Sequence, residues 1–387
     1  MNKNTFWILI ASFLLVAFGL GFFSGVMVQN KTPSYVDNGN QVGGYPLITE
    51  VIKAISSNYV KMVTEKDLAK SMLFGLDPYS TYFTPEEYQA FRNDTEGKYG
   101  GIGVVIELDE TRRHVRVNQV FSPSPAFESG VEEGWLILAI ESKELQNPDL
   151  DMVSSMIRGT PGTKVKITFQ NKGDKFVKEI TREQIIVNTV KTEEIDKDIG
   201  YVRLSSFMPQ SPKEMSTALE NMSSRSYKGY VLDLRRNGGG LLQACQLLSN
   251  LFLEPGVLLY TEDRTGHQEV LKTSGERFKY PLVVLVDQYT ASASEILAGA
   301  LQDRGVAVLC GTRTFGKGLV QNVFPINGGH VKMTIERYLT PDKHQVDTYG
   351  LKPDIESYVD ITQKISFDPA KDSTVAKAVE YLRTKIK

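Results

Sequence analysis

The sequence predicts a layered α/β unit, a small α+β unit inserted ahead of it, and one membrane-spanning helix at the start. Three observations predict this. From Gly200 onward, wholly apolar strand-like runs alternate with helical patterns. Between about Gly97 and Thr181 the runs are short and alternate apolar with polar residues, and Phe6 to Val28 carries no charge at all. Continuous apolar strands separated by helices imply a sheet covered on both faces, whereas alternation implies one covered face.

The uncharged run of about 23 residues is long enough to span a bilayer as a helix. Lys3 and the amino group precede it and Lys31 follows, a charge difference that puts the rest of the chain on the outer, periplasmic or extracytoplasmic side. A cleaved leader with Ala17-Phe18-Gly19 as its small-x-small site is the alternative. No cysteine follows the run to carry a lipid. The expected units are a signal anchor over 1–29, a polar Gly/Asn-rich linker over 30–44, and a helical segment over 45–96. The small unit follows over 97–182, the α/β unit over 183–360 and a helical tail over 361–387.

In the helical segment, Leu47, Ile48, Val51, Ile52 and Ile55 recur at helical spacing, and a second helix is expected over Glu65–Leu76. Their apolar face is open to packing on the chain's own core or on a second copy. Asp77-Pro78-Tyr79-Ser80-Thr81 reads as a turn and Thr84-Pro85-Glu86-Glu87 as a helix start. In the small unit, strands are expected over Gly103–Leu108, His114–Val120, Trp135–Ile140, Lys164–Gln170 and Val177–Ile180. Helices are expected there over Pro125–Glu128 and Leu150–Ile157. The α/β unit then reads as strand Tyr201–Leu204, helix Ser211–Met222, strand Gly229–Leu234 and helix Gly240–Phe252. Strand Leu282–Val286, a helix over Ser292–Gln302 and strand Val306–Leu309 complete it.

With 387 residues the chain is too long for one core. At 41% apolar and 23% charged it is globular, and a net charge of −2 excludes a nucleic-acid surface spread over the whole protein. Cys245 and Cys310 sit in apolar surroundings without metal-ligand spacing and read as small buried residues. The four histidines, His114, His267, His330 and His344, form no HExxH or other metal pattern, so neither metal nor cofactor is expected. There is no GxSxG elbow and no P-loop. Gly100-Gly101-Ile102-Gly103 is followed by strand-like alternation, not by the helix a phosphate cradle needs.

Three constellations remain. Thr290-Ala291-Ser292-Ala293-Ser294-Glu295 opens a helix after an apolar strand. A serine at that corner is either an exposed nucleophile beside helix N–H groups or an N-cap. In Gly316-Lys317-Gly318 the lysine is either a solvated turn residue or, if buried, a neutral amine able to take a serine proton. Gln321, four residues on, is placed to orient it. Asn237-Gly238-Gly239-Gly240 after the strand ending Asp233-Leu234 is an oxyanion donor, a phosphate nest or a bare turn.

Together these segments resemble the C-terminal processing peptidases, or tail-specific proteases. The resemblance runs from about Leu76 to Glu356 through motifs in a fixed order. These are Asp77-Pro78-Tyr79-Ser80, Gly100-Gly101-Ile102-Gly103, Ile157-Arg158-Gly159, Asp233-Leu234-Arg235, Ser292-Ala293-Ser294-Glu295, Thr314-Phe315-Gly316-Lys317-Gly318 and Gly350-Leu351-Lys352-Pro353-Asp354. It implies a crotonase-like layered catalytic fold, a serine endopeptidase with Ser292 as nucleophile and Lys317 as base, and Gln321 in support. It also implies an oxyanion hole from the N–H of Ala293 and of Gly238 or Gly239. The inserted unit would be a PDZ domain, with Gly100, Gly101, Ile102 and Gly103 taking the substrate's free C-terminal carboxylate and Arg158 coupling docking to catalysis. Asp303 reads as structural. The partners implied are protein tails, with an adaptor protein or a second copy as further candidates. A catalytically dead, membrane-tethered PDZ adaptor is the rival reading, and the presence of both Ser292 and Lys317 opposes it. Arg236 stands where the family often has asparagine and Gly238 where it has proline or glycine; neither removes a backbone donor.

Overall fold

The computed structural model describes residues 45–95, 100–109, 114–146, 148–185, 188–358 and 365–386. The apolar run Phe6–Val28 and the linker lie outside them. Among the described residues no helix is long and apolar enough to cross a membrane.

The chain opens with α1 (Pro46–Asn58), α2 (Glu65–Phe74), β1 (Thr81–Phe83) and α3 (Pro85–Thr95). Thr64 and Asp67 cap α2 reciprocally, and Thr84 and Glu87 do the same for α3, which is why both helices start where they do. No residue of α1 is buried, and Leu47, Val51 and Ile52 face outward.

The next stretch holds β2 (Gly100–Gly101), β3 (Val104–Leu108), β4 (Val115–Val120), α4 (Pro125–Glu128), β5 (Leu136–Ile140), β6 (Lys143–Glu144), α5 (Leu150–Ile157), β7 (Lys164–Asn171), β8 (Asp174–Thr181) and β9 (Glu183–Gln184). An antiparallel sheet runs β3-β4-β5-β7-β8 with β6 on β5, and β2 pairs with β9. The alternation seen in the sequence turns Val115, Val117, Ile137, Val165, Ile167 and Phe169 into a core closed by Ile102, Val153 and Ile157.

The remainder holds β10 (Val190–Asp196), β11 (Ile199–Leu204), α6 (Ser211–Ser223), β12 (Gly229–Asp233), α7 (Leu242–Ser249), β13 (Gly256–Asp263), β14 (Gln268–Thr273), β15 (Leu282–Val286), α8 (Ala293–Asp303), β16 (Val308–Gly311), β17 (Leu319–Ile326), β18 (Gly329–Leu339), β19 (Ile355–Glu356) and α9 (Ser373–Arg383). A six-stranded sheet runs β10-β11-β12-β15-β16-β19, parallel except for the edge strand β10. A five-stranded antiparallel sheet joins β1, β13, β14, β17 and β18.

The central strands β11, β12 and β15 are buried on both sides. Leu232, Val284 and Val286 pack into a core shared with α6, α7, α8 and Leu258, Leu259 and Tyr338 of the antiparallel sheet. Val231, Val283 and Leu285 point the other way, onto Val375, Ala378 and Leu382 of α9. Three of the differences from the sequence reading fall around the parallel sheet. The helix expected over Gly240–Phe252 is shorter, because Gly240 has φ 146° and pairs with Phe207. The strand expected over Val306–Leu309 runs Val308–Gly311. The antiparallel sheet was not expected.

Candidate active site

Three loops leave the C-terminal ends of adjacent parallel strands: 234–241 after β12, 287–292 after β15 and 312–318 after β16. That edge is where open α/β sheets place ligands. Backbone and side-chain bonds knit the loops together. Ala291 N–H and Ser294 Oγ both donate to the Asn237 carbonyl, at 3.0 and 2.9 Å. Asp287, fully buried, accepts from the backbone of Arg236 and Tyr289, at 3.0 Å each.

Ser292 sits at the corner between this loop and α8, with φ 56° and ψ −119°. Left-handed backbone at a non-glycine residue costs roughly 1–3 kcal/mol and gathers at functional corners. Gly239, with φ 101°, lets this happen: a side chain there would sit 2.8 Å from the Ala291 carbonyl and 2.9 Å from Ser292 Cβ. Ser294 is wholly buried with its hydroxyl committed to Asn237, whereas Ser292 keeps 8% exposure.

Lys317 is wholly buried, and its amine lies 4.1 Å from the Tyr79 ring centroid. Burial, reinforced by the charge of Lys332, holds the amine well below the usual lysine range, against the opposing pull of Glu295 and Asp77. The Tyr79 hydroxyl is pushed up to about 12, chiefly by its own burial.

Ser292 and Lys317, 25 residues apart in the chain, are held together by two side chains to which the sequence reading gave no role. Glu295 Oε2 accepts from the backbone N–H of both Ser292 and Lys317, at 2.9 Å each. Its Oε1 accepts from Thr314 Oγ1 at 2.6 Å and Gly316 N–H at 2.7 Å. Burial pushes the Glu295 carboxyl up while these four donors pull it down. From the other side, the Tyr338 hydroxyl lies 3.2 Å from the Ser292 carbonyl and 2.9 Å from that of Lys317.

The remaining expected residues are spread over two places. Gly239 N–H donates to Asn237 Oδ1 at 2.9 Å, so that glycine is not an available oxyanion donor. Gly238 and Ala293 N–H have no partner among the described residues, and the space over Gly238 is open. Gln321 donates to Thr334 Oγ1 at 3.3 Å, and its own Oε1 is buried. No histidine bonds to Ser292 among the described residues. Asp303, at the far end of α8, accepts from Asp342 N–H and lies 3.2 Å from His344.

Gly100, Gly101, Ile102, Gly103 and Arg158 lie in the small unit that holds β2 to β9. Here the expected four-residue nest narrows. Gly100 and Gly101 are taken up by pairing with β9, and Gly100 also accepts from Gly159 N–H at 3.1 Å. The carbonyls of Ile102 and Gly103 accept from Ala126 and Phe121, while their N–H groups have no partner among the described residues. They open onto β3, the edge strand of its sheet, with α5 alongside and the half-buried Arg158 at the end of that helix. Both cysteines are free and buried, and no cluster of metal-binding side chains occurs among the described residues.

The profile of peptidase family S41 matches residues 198–357. A carboxyl-terminal-processing protease of Synechocystis sp. is 38% identical over 294 residues, covering 74% of this chain and 69% of that one. The carboxy-terminal processing protease CtpA of Bacillus subtilis is 33% identical, covering 80% of this chain and 68% of its own. Among solved structures, the photosystem II D1 C-terminal processing protease superposes with a TM-score of 0.53 at 27% identity, covering 85% of this chain and 90% of that one.

Proposed function

The chain belongs to the carboxyl-terminal-processing proteases of peptidase family S41, serine proteases that hydrolyse proteins, and from that premise we propose that Ser292 and Lys317 are its catalytic dyad. One observation carries this: Glu295 and Tyr338 clamp the backbones of these two residues side by side, with the lysine amine buried. Neutral Lys317 takes the proton of Ser292 as its oxygen attacks the peptide carbonyl. The N–H groups of Ala293 and Gly238 hold the oxyanion, at the start of α8 where the helix dipole adds to them. Protonated Lys317 passes its proton to the leaving amine, and water then hydrolyses the acyl-enzyme. Gln321, on the strand that follows, supports the base.

The small sheet acts as a PDZ domain. An apolar C-terminus adds as a strand to the edge of β3 beside α5, its carboxylate meeting the N–H groups of Ile102 and Gly103 near Arg158. The run Phe6–Val28 anchors the chain with its catalytic part outside the cytoplasm. The uncovered apolar stripe of α1 supports association with a second copy or an adaptor.

The test is cleavage of an unstructured polypeptide with an apolar free C-terminus by the purified chain. Ser292→Ala and Lys317→Ala should each abolish cleavage, and amidating the substrate's C-terminus should raise KM. If both variants still cut, the dyad is wrong. If amidation changes nothing, the PDZ reading falls.

A further inference from the structure

Lys332 is a second lysine inside this molecule, and the chemistry above does not use it. It lies within β18, opposite Thr81 of β1 and Val323 of β17, and is 9% exposed. Side chains alternate along strands, so Lys332 shares one sheet face with Thr334, with His330, and with Gln321 opposite Thr334. On that face its amine lies 5.9 Å from the ring of Phe83 and 5.5 Å from that of Phe91 on α3.

The turn before β1 connects the two lysines. Tyr79 lies over the Lys317 amine, and two residues on, Thr81 pairs with Lys332. Between them Ser80 Oγ accepts from Thr334 N–H at 3.2 Å. Asp77 closes the turn by accepting from Tyr79 and Ser80 N–H, at 2.7 and 2.8 Å. An ammonium buried beside two phenyl rings that stack on each other is costlier than a methionine of the same reach, so packing alone does not account for it.

We propose that Lys332 is a positioning residue for the reaction, acting through charge on Lys317 from the sheet face beside Tyr79 and biasing that amine toward its proton-accepting form. This rests on reading Lys317 as the base. Two like charges in one desolvated region disfavour each other, and a neighbouring cation is a known way to free a lysine amine. Glu295 and Asp77 act on Lys317 in the opposite sense, and Asp77 acts on Lys332 as well. His330, stacked on Tyr88 at 3.6 Å, is the further titratable side chain on this face, and Glu87 of α3 is bound to Lys66 and Lys70. Burial brings Lys332 itself down to about 8. It therefore carries charge through the neutral range, where Lys317 must not.

The test is kcat/KM against pH for an unstructured polypeptide, comparing the full chain with Lys332→Met, Lys332→Arg and Lys317→Ala. The wild-type rate rises with pH as the base loses its proton. Lys332→Met should move that acid limb up by about half a unit to one unit, a loss of roughly three- to tenfold on the limb, with the alkaline plateau kept. Lys332→Arg should leave the limb at or below its wild-type position. A limb unmoved in Lys332→Met, or raised in Lys332→Arg, with Lys317→Ala inactive, overturns the proposal and leaves the dyad standing. Activity in Lys317→Ala overturns the dyad itself.

Discussion

Glu295 accepts four hydrogen bonds, and every neighbour it meets there is a donor. Glutamine would keep the shape but turn one acceptor into a donor facing a donor. Glu295→Gln should lower stability by about 2–4 kcal/mol and cleavage by about two orders of magnitude, because the Ser292 turn and the Lys317 loop lose their common anchor. Urea unfolding and a cleavage assay check this, and wild-type activity in the variant would remove Glu295 from any part in catalysis. Half of its role was readable beforehand. Ser292-Ala293-Ser294-Glu295 has the spacing of a helix-start box, in which the glutamate turns back to the N–H of the first residue. The other half was not, since Thr314, Gly316 and Lys317 arrive about 20 residues later and no local pattern encodes their approach. Tyr338 and Lys332 were illegible for the same reason, as members of a strand whose partners β1 and β13 lie far away in the chain.

At the scale of elements, legibility followed burial. Leu282–Val286 announced itself because all five residues are apolar and buried. In the small sheet, Val115 and Val117 alternate with half-buried Arg116 and Asn118, and period two sufficed. β13 and β14 escaped because their faces are only partly covered and carry Glu262, Asp263 and Glu269, so neither rule applied. The tail helix α9 was foreseen as a helix, but not its attachment. Arg235, 2% exposed, donates to wholly buried Asp233 at 2.6 Å and to Asp372, the N-cap of α9, at 2.7 Å. The Tyr201 hydroxyl donates to Asp233 at 2.6 Å. Desolvation works against the guanidinium, and the two carboxylates more than offset it. Arg235→Met should cost about 3–5 kcal/mol by leaving buried charge uncompensated, read as a drop in Tm. An unchanged Tm would mean that α9 is held by its apolar face alone.

At the scale of the molecule, the core of the small sheet is made wholly of residues from Ile102 to Ile180, while those of the large unit begin at Ile199. Damage to one core should therefore stay within it. Ile167→Ala should destabilise the small sheet by about 2–4 kcal/mol. The cost should appear as a raised KM for tailed polypeptides, with hydrolysis of a short peptide that spans only the dyad kept. Equal loss on both substrates would show that the two units work as one body. The parts around Ser292 and Lys317 come from distant stretches of the chain: Tyr79 before the small sheet, Ser292 and Lys317 late in the large unit, and Tyr338 after both. A growing polypeptide emerging from the ribosome therefore cannot close this cluster until Tyr338 has been made. On the reading proposed above, a chain still under synthesis carries no finished blade to turn on itself or its neighbours.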